Sequence, residues 1–343
     1  MRAPGQGLHK APLFVWAMLS QSVIIILCIP VLAGALLVVL AASLCLLAKR
    51  IYVDQHASGY QSVLGINGRP TGQVLPLSFC QWFAGLVEGD GTIILPKGSN
   101  ARYPQVQVAF AIKDLPLAEA LQRELGHGTI QKYPATNSCR ITFASLAALW
   151  LVVSILNGQM RTGKHEMLKA LIAVLNQRCG TDVQVMPLNT VSVFTGSWFA
   201  GFTDADGHFS VRLTVGVLYP RVAVSYELTQ SILTHLGVSN HPVMLSIATW
   251  LQTRLESIRE ATHPAYRLRA GSVLSVSLVR LYFTNHPLFS SKHLDYLDWC
   301  RVNDLMLDGV ALASVDEVAS IKAGMNSNRT HFDWSHLDNL LAS

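Results

Sequence analysis

No two of the six cysteines in this 343-residue sequence stand in C-x-x-C spacing: Cys28, Cys45, Cys80, Cys139, Cys179 and Cys300 are scattered along it. That scatter argues against a zinc site and against a disulfide framework, and a reducing compartment is its simplest setting. Charge is also scarce, at 14% of residues, and residues 11–48 contain none. This stretch, APLFVWAMLSQSVIIILCIPVLAGALLVVLAASLCLLA, is bounded by Lys10 on one side and by Lys49 and Arg50 on the other. A secretory signal has a far shorter apolar core, and an organellar transit peptide is amphipathic and Arg-rich, so neither fits. The stretch reads as membrane-spanning, against the alternative of a buried core segment. As one helix it would run to about 55 Å against roughly 30 Å of hydrocarbon, so Pro30 is expected to divide it into two spans with both basic ends on one side.

A bulk basic surplus is missing as well. The net charge is +5, but five of the 26 basic residues and only one of the 21 acidic ones precede residue 78. Residues 78–343 therefore hold 21 basic and 20 acidic residues. If this part binds nucleic acid, it must do so with locally placed positive charge, with weak non-specific binding and a shallow salt dependence.

What the sequence does have is one phrase written twice. WFAGLVEGDG runs from Trp82 to Gly91 and WFAGFTDADG from Trp198 to Gly207, an offset of 116. The same offset pairs Tyr103-Pro104 with Tyr219-Pro220, Val106 with Val222, Val108 with Val224, and Phe110 with Tyr226. Further on, NGQMRTGKH (Asn157 to His165) lies over NHPLFSSKH (Asn285 to His293) at an offset of 128, pairing Lys164 with Lys292. Two ordered matches indicate a duplicated domain with about a dozen residues inserted in the second copy. Residues 51–77 carry Gly, Pro and Asn without helical periodicity and read as a linker, with folded structure starting near Ser78. The copies are then 78–182 and 195–343, joined by a linker at 183–194. Ser78 and Ser197 are candidate N-caps for helices that end at the terminal Gly of each phrase. Alternation follows at Val106, Val108, Phe110 and Ile112, and at Phe209, Val211 and Leu213, marking strands with one apolar face. Each copy reads as helix, two strands, helix, two strands, helix.

Gly85 and Gly89 are four apart, and Gly201 and Ala205 repeat the spacing. Residues this small let two helix backbones approach closely, so the helices are expected to pack together on a pseudo-twofold axis. That would set Asp90 beside Asp206 at two helix C-termini, where the macrodipole and mutual repulsion both disfavour carboxylates. A divalent cation resolves both penalties, and carboxylates around Mg²⁺ suit phosphodiester hydrolysis. Paired capping acids are the plainer alternative.

The two phrases resemble the paired signatures of LAGLIDADG homing endonucleases of the single-chain, intron-encoded type. The resemblance extends through IKDLPL, LNGQMRTGKH, HPLFSSKHLDYLDW and MNSNRTHFDWSHL, covering nearly all of residues 78–343. It implies an α+β fold in which two pseudo-symmetric αββαββα subdomains form a DNA-binding saddle, here preceded by the apolar helical N-terminal segment of residues 1–50. It implies that Asp90 and Asp206 bind Mg²⁺ or Mn²⁺, assisted by the backbone carbonyls of Gly89 and Ala205. Asp114 and Gln230, related by the 116 offset, resemble positions that organise the attacking water. Lys164 and Lys292 resemble paired basic residues near the active sites; an ordinary helix lysine is the alternative for Lys164. Glu88 stands where the pattern has Asp, a position that mainly supports the helix end. The resemblance further implies function as a monomer on a double-stranded DNA target at an intron insertion site.

On the expected polar strand faces, Gln105 and Gln107 can read adenine, while Arg140, Arg212, Arg221, Arg267 and Arg269 can read guanine or hold phosphates. The rival to the nuclease reading is a maturase that binds its intron RNA with the same fold. A third reading, a membrane protein with a soluble interaction domain, rests on residues 11–48. Residues 1 to about 60 can also be exon-derived, and then a chain shortened to 75–343 should keep cleavage. Synthesis inside an organelle needs no address, so the expected location is the mitochondrion, with the chloroplast as alternative.

Overall fold

The computed structural model describes residues 59–96, 103–258 and 263–341. The apolar stretch at 11–48 lies outside the described residues, and among those described no helix is long and apolar enough to cross a membrane.

Strand β1 (Tyr60–Leu64) pairs antiparallel with β2 (Pro70–Pro76) in a hairpin. The Gly, Asn and Pro that suggested a linker are its turn: Gly65 donates to the Arg69 carbonyl, and Gly68 has a φ of 69°. The folded part thus begins well before Ser78. Val63 and Leu75 are buried, and the Leu64 amide donates to Ser154 Oγ at 2.8 Å, on the helix Leu146–Leu156. A chain cut to 75–343 loses Val63 and the Leu64 hydrogen bond, and should consequently be less stable than one cut to 59–343 by about 1.5–3 kcal/mol from Val63 alone. Equal denaturation midpoints for the two would contradict this.

The first copy follows as α1 (Leu77–Asp90), β3 (Gly91–Ile94), β4 (Gln105–Ala111), α2 (Leu115–Leu125), β5 (Thr129–Tyr133), β6 (Ser138–Phe143), α3 (Leu146–Leu156) and α4 (His165–Cys179). The second runs as α5 (Trp198–Asp206), β7 (Gly207–Thr214), β8 (Arg221–Ser231), α6 (His241–Trp250), β9 (Leu255–Ile258), β10 (Ala265–Ala270), α7 (Val273–Asn285), α8 (Lys292–Leu307) and α9 (Val315–Gly324). Each copy is αββαββα with added helices, and the sheets share one antiparallel order, β3-β4-β6-β5 and β7-β8-β10-β9. The structure is therefore mixed α and β, in two similar halves.

Alternation along the strands divides each sheet. Val106, Val108, Cys139, Ile141 and Phe143 face the core of the first half, and Phe209, Tyr226, Leu228 and Leu268 that of the second. Helix α3 (LAALWLVVSIL) is apolar around its whole circumference and buried on nearly every side, as such a helix must be. The expected N-cap at Ser78 is not one: α1 starts a residue earlier, after Pro76, and Ser78 lies inside it. Ser197 does precede α5, but its hydroxyl pairs with His286 Nδ1 at 3.1 Å instead of capping.

Candidate active site at the paired helices

The two repeated phrases are α1 and α5, and they touch backbone to backbone. A Cβ on Gly85 would lie 2.0 Å from the Trp198 carbonyl oxygen, and one on Gly201 would lie 1.8 Å from that of Trp82. Further along, a Cβ on Gly89 would meet the Ala205 Cβ at 2.1 Å and Asp206 Oδ2 at 2.8 Å. The four small residues thus bring the ends of the helices, and their terminal acids, into one cleft.

The neighbouring acids do something the sequence reading missed. Trp82 Nε1 donates to Asp204 Oδ2 at 2.8 Å, and Trp198 Nε1 donates to Glu88 Oε2 at 2.6 Å, so each indole reaches across to the other phrase. Both acids are fully enclosed, and burial pushes their carboxyl groups above the usual range. Backbone amides compensate: Arg161 and Thr162 donate to Glu88, Phe289 and Ser290 to Asp204. The signal was present, since the tryptophans and these acids keep the same spacing in both phrases.

Asp90 and Asp206 close the two helices. Asp90 is exposed at the cleft, but protein crowds it; desolvation and then the neighbouring Asp206 push its carboxyl up to about 6. Desolvation also raises Asp206, opposed by Lys292, by a hydrogen bond from Gln230 Nε2 and by Lys164. Lys164, at the N-cap of α4, places its ammonium 2.7 Å from the Gly89 carbonyl and 2.8 Å from that of Gly91. Lys292, the first residue of α8, donates to the carbonyls of Thr203 and Ala205. The lysines meet the negative ends of α1 and α5, where cations are favoured. Burial lowers both from the ordinary lysine range, and the nearby aspartates oppose this.

The strands do not keep the 116 offset that relates Asp114 to Gln230: register sets Gln230 at the place of Phe110, and Asp114 lies in the 3-10 turn after β4. Gln230 is a donor to Asp206, whereas Asp114 is a buried acceptor whose Oδ1 takes the Ser291 amide at 2.6 Å. Two carboxylates and two helix-end carbonyls are all hard oxygen donors, a set that fits Mg²⁺ or Mn²⁺. Each carbonyl has a second lone pair beyond the one facing its lysine. Among the described residues no cluster of three or more His, Cys, Asp or Glu could hold a metal by side chains alone.

The expected base-reading residues lie on the sheets. Gln105 and Gln107 share the polar face of β4 and bond to each other at 3.0 Å, and Arg140 on β6 stacks over Tyr133 at 5.2 Å. In the second sheet, register brings Arg212, Arg221, Arg267 and Arg269 to one face. Two of these charges are not free: Arg267 pairs with Glu256 at 3.2 Å and Arg269 with Glu227 at 3.3 Å. The two glutamates escaped the sequence reading because only strand pairing sets them beside arginines.

Comparison with known proteins agrees with this architecture. A family model described as LAGLIDADG endonuclease matches residues 83–175 and 199–303, once on each half. The chain is 30% identical over 299 residues to the intron-encoded DNA endonuclease aI3 of Saccharomyces cerevisiae, covering 75% of this chain and 72% of the relative. It is 24% identical over 132 residues to the intron-encoded RNA maturase bI4 of the same yeast, covering 38% of this chain and 19% of the relative. Among solved structures, the I-LtrWI LAGLIDADG homing endonuclease bound to target DNA superposes with a TM-score of 0.60 at 16% identity, over 74% of this chain and all of that one.

Proposed function

Because the chain belongs to the LAGLIDADG endonuclease family, we propose that it is a site-specific endonuclease that cuts both strands of a long DNA target at the intron insertion site and so spreads its intron. The observation that carries the reading is the meeting of Asp90 and Asp206 at the ends of two interlocked helices, each end flanked by a lysine.

Asp90, Asp206 and the carbonyls of Gly89 and Ala205 would hold Mg²⁺ or Mn²⁺, with water and target phosphate completing the shell. A cation there supplies an activated water and stabilises the leaving oxygen. The rest falls to the chain itself. Gln230 engages one oxygen of Asp206 and leaves the other for the cation. Lys164 and Lys292 fix the direction of the helix-end carbonyls and keep positive charge beside the phosphates as negative charge develops. Asp114 and Gln230 organise the attacking water, one as acceptor and one as donor. Gln105, Gln107, Arg140, Arg212, Arg221, Arg267 and Arg269 contact the target through the two sheet faces. Since both halves are in one polypeptide, the protein works as a monomer. Its location is the mitochondrion, in keeping with its intron-encoded relatives.

Protonation supplies a test. With its carboxyl raised to about 6, Asp90 is neutral in the folded protein below that pH and ionised above it. A raised carboxyl favours the folded state at low pH, and this contribution is lost as pH rises through about 6. Divalent-ion affinity runs the opposite way: it should fall as pH drops below about 6, approaching on the order of tenfold per unit. Titration calorimetry at pH 5 and 7.5 checks this, and equal affinities would contradict it.

The maturase reading keeps one support, the similarity to the bI4 maturase. It predicts tight binding of the cognate intron RNA that survives replacement of both aspartates. Cleavage of DNA would not survive it.

A further inference from the structure

Strand register divides the dozen residues that the second half has in excess: Gly91 pairs with Val108 but Gly207 with Leu228, which puts four in the β7–β8 hairpin, and seven more fall between β8 and β10. In the first half, β4 passes through a single 3-10 turn (Ile112–Asp114) straight into α2. In the second, β8 continues to Ser231 and a nine-residue excursion, 232–240, precedes α6. This loop is held at both ends. Ile232 donates to the Pro264 carbonyl and Asn240 to that of Ile232, while the buried Asn240 side chain donates to the Ser231 carbonyl. Its tip is a turn, Thr234–Gly237, closed by Gly237 N to Thr234 O at 2.9 Å, with Gly237 at a φ of 77°. Val238 seats the tip on the first half: a Cβ added to Gly163, next to Lys164, would fall 2.5 Å from the Val238 Cβ.

The turn carries His235. This side chain borders two cavities at the cleft, one of about 220 Å³ with Gly89, Lys164 and Gln230, the other of about 460 Å³ with Gly89, Asp90 and Lys164. Its imidazole makes no hydrogen bond or ion pair with any described residue. In the first half the equivalent segment is the short turn into α2, and there the buried Asp114 accepts from the Ser291 amide beside Lys292 in place of a histidine. Strand register aligns Val108 with Leu228, an offset of 120 that carries His235 onto Leu115, the first residue of helix α2.

We propose that His235 is a positioning residue supplied by the second half to the catalytic half-site of the first. There it donates an N–H to a non-bridging phosphate oxygen of the strand held between Asp90 and Lys164. The inference rests on the nuclease reading and adds an asymmetry to it: one strand's phosphate receives this contact and the other's does not.

The test uses the full chain and a duplex of host-gene sequence joined across the intron insertion site, each strand carrying its own end label. His235→Ala should slow the cutting of one strand by about ten- to a hundredfold, as expected for one lost hydrogen bond to an ionised oxygen. The other strand should be cut at the wild-type rate, so nicked duplex accumulates. His235→Gln keeps an N–H donor and should recover most of the lost rate. His235 is exposed, so both variants should melt as wild type does. Equal slowing of both strands, or no slowing of either, overturns the assignment while leaving the nuclease reading intact. A wild-type chain that cuts neither strand overturns both.

Discussion

Asp90→Asn and Asp206→Asn should each reduce double-strand cleavage by about 10³-fold or more, without unfolding the protein. The size follows from the several kcal/mol of charge stabilisation that a bound cation supplies, at about 1.4 kcal/mol per tenfold in rate. The accompanying gain in stability separates catalytic acids from capping acids. Each carboxylate sits where desolvation raises it, and for Asp90 the neighbouring Asp206 adds to the effect. In the metal-free fold desolvation disfavours their ionised forms, and an amide removes that penalty. Thermal melting in EDTA should show the variants at least as stable as wild type. A capping role predicts the reverse, lower melting temperatures with cleavage largely retained.

Gly201→Ala and Gly85→Ala should be far more damaging to the fold than their single added methyl suggests. The new carbon would fall 1.8 Å or 2.0 Å from a backbone carbonyl oxygen of the opposite helix, and backbone cannot swing aside as a side chain can. The helices would have to separate. That loosens the reciprocal Trp82–Asp204 and Trp198–Glu88 bonds and parts the two terminal acids. Overpacking of this kind costs about 3 kcal/mol or more, enough to unfold a marginal domain. Gly324→Ala is the control: it ends α9 with nothing within 4 Å of the added carbon, and should change stability by less than about 1 kcal/mol. Urea denaturation of the three variants decides the matter, and similar midpoints would contradict the close-approach account.

Much of this architecture was legible because the protein repeats itself. The 116 offset carried the two helices, the terminal aspartates and the first strand of each sheet; at the second strand it breaks, because Gly91 pairs with Val108 but Gly207 with Leu228. The 128 offset carried Lys164 and Lys292, which the fold sets on the helix-end carbonyls. What stayed hidden depends on partners distant in sequence. The Gly, Asn and Pro of residues 65–70 look like linker until Val63 and Leu75 are seen buried beneath a hairpin. Arg267 and Arg269 look like free charge for phosphates until register supplies Glu256 and Glu227. The insertion was countable in sequence, but only the fold shows that it delivers His235 to the opposite half. From sequence, Glu88 looks like support for a helix end. Its four donors, from Arg161, Thr162 and Trp198, show that it also ties one half to the other.

The central claim is that two helix-end aspartates, brought together by small-residue packing, cut both strands of one DNA site. Incubating the full chain with host-gene DNA joined across the intron insertion site, with Mg²⁺ and again with EDTA, tests it most directly. The account predicts a double-strand break near the junction that requires Mg²⁺ and is lost in both Asp90→Asn and Asp206→Asn. A folded protein that binds its intron RNA and leaves this DNA intact would contradict it.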